Sequence, residues 1–156
     1  ARRVPPGPGA GGAVYALFPS ALENCTLVAN SGGTADGIGA IDFEEGGGVH
    51  ATLVTGTHLG LVALGNETWS CCVLFGNAAG DTAPGTDAGG NFSADPCYCT
   101  DPQAAGDVSL RADSPCAAGN HPGLAGCALI GAGRVACEAQ ALVPRSWSAV
   151  KRLYRP

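Results

Sequence analysis

Apolar residues in this chain fall in short strips separated by glycine, asparagine and other polar residues. Residues 12–17 (GAVYAL), 36–41 (DGIGAI) and 60–64 (GLVAL) align so that Val14, Ile38 and Val62 stand at intervals of 24 and 24. A second strip follows each: 25–28 (CTLV), 51–54 (ATLV) and 71–74 (CCVL), with intervals of 26 and 20 measured at Thr26, Thr52 and Cys72. Most units end in turn residues: Asn30, Gly56, and Gly76 with Asn77. Strips this short cannot each hold a core. A period in the low twenties with no helix between strips predicts an all-β solenoid, its strands stacked at the ~4.8 Å parallel spacing. Like then piles on like, giving two internal columns: Val14, Ile38 and Val62, and Leu27, Leu53 and Val73. The competing architecture is an antiparallel β-sandwich, but strict alternation and hairpin dipeptides are scarce.

Residues 81–126 are rich in Asp, Gly, Pro and Asn, with one clear strip at 108–110 (VSL). Asp95, Asp101, Asp107 and Asp113 fall six apart, which raises calcium as a ligand. Calcium loops gather several oxygens within about a dozen residues around a tight glycine turn. Asp-Pro at 95–96 and 101–102 and Gly-Asp at 106–107 favour ordinary turn chemistry instead. Residues 127–133 (CALIGAG) form one more strip, and beyond 138 the spacing of Trp147, Val150 and Tyr154 predicts a short helix with Ser146 as N-cap. The expected organisation is a Pro/Gly-rich segment at 1–12, the repeat with a disulfide-rich closing region at 13–137, and a linker with a basic tail at 138–156.

Composition narrows the class. Glycine (25) and proline (11) leave little room for long helices, and no apolar run approaches the ~18–20 residues of a membrane span. Residues 4–133 hold twelve acids against Arg111, so nucleic acid is not an expected partner. Trp147, Lys151, Arg152, Tyr154 and Arg155 make the tail a candidate to dock on an acidic surface, with a solvated terminus as the alternative. Eight cysteines with one lysine and no methionine favour disulfides in an oxidising compartment. Zinc competes through Cys97 and Cys99, but their spacing is too close for a usual ligand pair and no second knuckle follows. The chain begins at Ala1 with neither an initiator methionine nor a signal peptide, and it reads as a processed product or a fragment.

Catalytic candidates are few. Asp36, Asp42, Glu44 and Glu45 are the acids that could face each other across a sugar, as glycoside hydrolysis requires; a solvated turn explains them as well. His50, His58 and His121 have no nucleophile or orienting acid at a motif spacing and read as surface residues. No hydrolase, nucleotide-binding or metalloprotease motif occurs. Asn24, Asn66 and Asn91 each begin an N-glycosylation triplet, but the triplet carries no meaning in a bacterial exporter, Asn24 adjoins a strip, and no glycan is assigned.

Several segments resemble bacterial right-handed parallel β-helix repeat proteins. "ALENCTLVANSGG" (21–33) is similar to their coil motif, and "SCCVLFGNAAGD" (70–81), "NFSADPCYCTDPQAAGDVSL" (91–110) and "ADSPCAAGN" (112–120) to their closing region. "CALIGAGRVAC" (127–137) looks like the terminal Cys-bounded strip, and "SWSAVKRLYR" (146–155) like a Trp-containing basic tail. The resemblance implies the C-terminal end of a longer secreted or cell-surface β-helix, of about three to four coils in this chain. It implies a disulfide-bonded cap with pairs Cys99–Cys116 and Cys127–Cys137, leaving Cys25, Cys71, Cys72 and Cys97 unassigned. The function expected is a non-enzymatic structural or adhesive surface element that needs no cofactor and self-associates end to end. The alternatives are a glycan-binding or polysaccharide-degrading β-helix and a disulfide-rich β-sandwich binding module.

Overall fold

The computed structural model describes residues 13–30, 41–43, 45–58, 67–123 and 126–138, together with the backbone but not the side chain of Asp42. Eleven strands and a single-turn helix occur among them: β1 (Val14–Ala16), β2 (Ser20–Glu23), β3 (Thr26–Val28), β4 (Ile41–Phe43), β5 (Gly47–His50), β6 (Leu53–Thr55), β7 (Glu67–Ser70), β8 (Val73–Phe75), β9 (Thr86–Asp87), α1 (Pro102–Ala105), β10 (Leu110–Arg111) and β11 (Val135–Cys137). Every strand pairs parallel, in sheets ordered β1-β4, β2-β5-β7-β9, β3-β6-β8 and β10-β11. The described residues are therefore mainly β, built on parallel pairing, with almost no helix.

A ten-residue unit generates most of this pattern. It occupies 20–29, 47–56 and 67–76, and each copy has a four-residue strand, a left-handed residue, one linking residue, a three-residue strand and a second left-handed residue. The first left-handed position is Asn24, Ala51 and Cys71 in turn, and the second is Ala29, Gly56 and Gly76. The αL kink turns the chain between adjacent sheets, so each unit places one strand in each of them. Backbone bonds repeat with the unit: the Leu53 N–H donates to Cys25 O, the Val73 N–H to Thr52 O, and the Phe92 N–H to Cys72 O. The linking residues bond alike. Cys25 Sγ, Thr52 Oγ1 and Cys72 Sγ each donate to the carbonyl two residues back, on Glu23, His50 and Ser70.

Three sheets share one core. In register, Leu22, Val49 and Trp69 form one column, Leu27, Val54 and Leu74 a second, and Val14 with Ile41 and Ala16 with Phe43 two shorter ones. All of these residues belong to one apolar cluster, in which Ile41, Val49, Val54 and Trp69 are fully enclosed. The columns predicted from sequence need correction. Leu27 stacks on Val54 and Leu74, and Leu53 and Val73 stack on Thr26. The first interval is 27 residues, from Thr26 to Leu53, and since side chains alternate between faces, the misjudged interval exchanges the two sides of the sheet. Val14 pairs with Ile41 and not with Ile38; Ile38 and Val62 lie outside the described residues.

Leu53 and Val73 face away from the shared core into a second cluster with Leu110, Cys116 and Ile130, against which Phe92, Tyr98, Cys127 and Leu129 pack. Residues 92–137 thus lie along the outer side of sheet β3-β6-β8. Their contacts reach all three units: the Ala132 N–H donates to Thr26 Oγ1, the Gly131 N–H to Ala51 O, and the Phe92 N–H to Cys72 O, while Tyr98 Oη bonds Thr55 Oγ1. The closing region is accordingly a flank on the sheet. Gly131 makes the close approach feasible, because at φ 94° a Cβ there would meet Thr26 Oγ1 at 2.7 Å and Leu53 Cβ at 3.2 Å.

Two disulfides fasten the flank, Cys71–Cys127 and Cys99–Cys137. They replace the expected pairs Cys99–Cys116 and Cys127–Cys137. Cys116 is a free, buried thiol, enclosed by the apolar side chains of the second cluster. Cys71 sits at a left-handed turn on the sheet's rim and reaches across to the flank. Gly90 leaves room for that bond: a Cβ there would lie 2.8 Å from Cys127 Sγ and 3.2 Å from Cys71 Sγ, on a backbone with φ 74°. Gly90→Ala is expected to destabilise the protein by about 2 kcal/mol, combining left-handed strain with displacement of the disulfide. Urea melts of the oxidised protein check this, and the deficit should shrink when Cys71 and Cys127 are both serine.

Candidate functional site

The two ends of the strand stack differ, and the end at β1, β2 and β3 is the more open. β2 and β3 are the outermost strands of their sheets. Their inward residues Leu22 and Leu27 are only partly buried, whereas their register partners Val49 and Val54 are fully enclosed. Beside them Tyr15, Leu17 and Phe18 are exposed, Phe18 to 70%. Together these residues give the first unit an apolar surface and, among the described residues, a strand edge without a neighbour.

The opposite end is blunted. β9 has two residues, Thr86 and Asp87, followed by Gly89 and Gly90 at positive φ. The Asp87 carboxylate accepts from the Gly89 N–H at 2.8 Å and from Asn91 Nδ2 at 2.6 Å. Asn91 in turn joins this last segment to the unit before it, donating to Trp69 O and accepting from the Cys72 N–H, both at 2.9 Å. Asn77 repeats the device, donating to Val54 O and to Asp81 Oδ1 and accepting from the Thr57 N–H. Each asparagine stands in for a backbone pair where the strands stop, with an aspartate fixing its amide.

The four aspartates spaced six apart are turn residues. Asp95, Asp101 and Asp107 each accept the backbone N–H two residues ahead, on Cys97, Gln103 and Ser109. Ser109 holds the Asp107 carboxyl below the usual carboxylate range. Asp113 pairs with Arg111, whose guanidinium is raised by that hydrogen bond. Asp101 also caps α1, and Gly106 ends it in the left-handed conformation. Among the described residues no group of three His, Cys, Asp or Glu side chains is placed to hold a metal ion.

The catalytic candidates are not assembled. Asp36 and Glu44, and the Asp42 side chain, lie outside what the structure describes, while Glu45 is exposed at a turn. His50 is exposed on β5, with Nδ1 2.9 Å from Ser70 Oγ, and His58 is exposed. His121 differs from expectation: it is half-buried, 6.0 Å from the Phe92 ring, which places it in the flank's packing. The basic tail residues Trp147, Lys151, Arg152, Tyr154 and Arg155 also lie outside the described residues.

Four thiols remain: Cys25 and Cys97 partly exposed, Cys72 and Cys116 buried. Burial pushes Cys72 up to about 11 and Cys116 up to about 12. The Cys97 thiol is also raised, by burial and then by Asp95. Alkylating agents need an accessible thiol, so in the oxidised native protein the partly exposed Cys25 and Cys97 should be modified while the buried Cys72 and Cys116 stay intact until denaturant is added. Peptide mapping after timed iodoacetamide treatment reads this directly.

No protein-family model, curated protein or solved structure matches the chain. Two disulfides are consistent with a secreted or extracellular protein, and among the described residues no helix is long and apolar enough to cross a membrane.

Proposed function

We propose that the chain is part of a right-handed parallel β-helix, acting outside the cell as a non-enzymatic structural or adhesive element that joins end to end with further copies of itself. The observation that carries the proposal is the ten-residue unit repeated in parallel register, with the open first unit at one end. Among the described residues the outer edges of β2 and β3 carry no partner strand, so their backbone donors and acceptors are open to a strand of another copy, with the short β9 edge as the one left to meet them at the blunted end. The apolar surface around Phe18, Leu22 and Leu27 adds a hydrophobic drive to close that edge. Head-to-tail joining grows into filaments when the rotation does not close a ring.

Light scattering of the purified full chain across a concentration series tests this, followed by electron microscopy. Growing species are expected, with Leu17→Lys/Phe18→Lys reducing them to monomer. A wild-type chain that stays monomeric at high concentration, or one retained specifically by a glycan array, would overturn the proposal.

A further inference from the structure

Half of the chain's asparagines, three of six, begin an Asn-x-Ser/Thr triplet, although Ser and Thr together fill only 17 of 156 positions; chance placement gives fewer than one. Two of the three, at Asn24 and Asn91, fall on described residues, and the fold treats them oppositely. Asn91 has both Nδ2 protons engaged, by Trp69 O and Asp87 Oδ1, and its Oδ1 accepts the Cys72 N–H. A sugar on that nitrogen would remove one of these bonds and wedge between the last segment and the preceding unit. Asn24 is exposed at the left-handed turn between β2 and β3, a backbone conformation that asparagine tolerates. It occupies the same position in its unit as Cys71, whose side chain leaves the sheet sideways to reach Cys127 on the flank. The equivalent Ala51 is buried and Cys71 is bonded into the flank, whereas Asn24 is exposed.

We propose that Asn24 is an N-glycan acceptor and that Asn91, within the same kind of triplet, is excluded by the fold. The proposal rests on the extracellular reading above, but not on self-association. The reaction transfers an oligosaccharide from a polyprenyl-diphosphate donor in the secretory pathway. The bond between sugar C1 and the phosphate oxygen breaks, the bond from C1 to Asn24 Nδ2 forms, Nδ2 loses one proton, and the polyprenyl diphosphate departs. Thr26 supplies the third residue of the triplet, and its hydroxyl in the folded chain accepts the Ala132 N–H, so the triplet lies where the flank meets the first unit.

The test directs the full chain into the secretory pathway of a glycosylating eukaryotic cell behind a cleavable export signal. Protease-resistant, folded protein is recovered from the pathway and the medium, then deglycosylated with an amidase in heavy-oxygen water. Conversion of Asn24 to labelled aspartate is expected, with Asn91 unconverted. Asn24→Gln should lose the corresponding mass shift, and Thr26→Ser should keep it. A folded chain with Asn24 unmodified, or with Asn91 modified, would overturn the proposal whatever the chain's assembly state, which light scattering reports separately.

Discussion

Val54→Asp is expected to abolish folding. Val54 is fully buried, with Leu27 on one side and Leu74 on the other in parallel register. Its wider surroundings are Ile41, Phe43, Val49 and Trp69, none of which offers a carboxylate a positive charge. A lone buried carboxylate costs roughly 5 kcal/mol or more once lost packing is included. That matches the whole stability of a small domain, about 5–15 kcal/mol. Ala78→Asp is the control, because Ala78 is exposed on the turn after β8 and the same change there should stay within about 0.5 kcal/mol. Far-ultraviolet circular dichroism with urea titration separates the two. Equal midpoints for Val54→Asp and the wild type would mean that Val54 does not lie in a core.

Alkaline pH is expected to unfold the protein through its buried acids. Burial raises Cys72 to about 11 and Cys116 to about 12 from an ordinary 9.0, and Tyr98 to about 12 from 10.0. The folded chain holds these protons more tightly than the unfolded one. The stabilisation is therefore complete below pH 9, and it is lost as pH rises from there through the folded values. Each group contributes about 1.4 kcal/mol per pH unit across its window. With Tyr98 discounted for its partial exposure, the loss by about pH 11 is on the order of 5 kcal/mol. Rapid urea unfolding, completed before disulfides rearrange, should give a flat stability from pH 7 to 8.5 and a steep fall above 9. Replacing Cys72 and Cys116 together with alanine should remove most of the fall, and a wild-type stability unchanged to pH 11 would contradict the account.

The parallel strips and their period were legible because Thr-Leu-Val, Leu-Val-Thr and Val-Leu-Phe are apolar enough to stand out. The strands before them were not. β2, β5 and β7 each carry a single large apolar residue directed at the core, Leu22, Val49 or Trp69, among polar residues, glycine and alanine. The left-handed position was visible only at Asn24, since Ala51 and Cys71 carry no sequence signal for positive φ. That gap allowed the one-residue slip in the first interval and reversed the faces of the Leu27 and Leu53 columns. The disulfide map was not legible at all. Eight cysteines allow 105 complete pairings, and the choice between a cap and a flank depends on which face of β6 and β8 is left apolar. Leu53 and Val73 decide that, and their direction follows from the register.

Scalar couplings across hydrogen bonds, measured by nuclear magnetic resonance, test that register most directly. Three are predicted, linking the Leu53 amide nitrogen to the Cys25 carbonyl carbon, Val73 to Thr52, and Phe92 to Cys72. Their joint presence requires successive units to lie parallel at these intervals. Couplings that instead join β2 to β3, or β5 to β6, as antiparallel neighbours would contradict the stacked arrangement and the end-to-end association built on it.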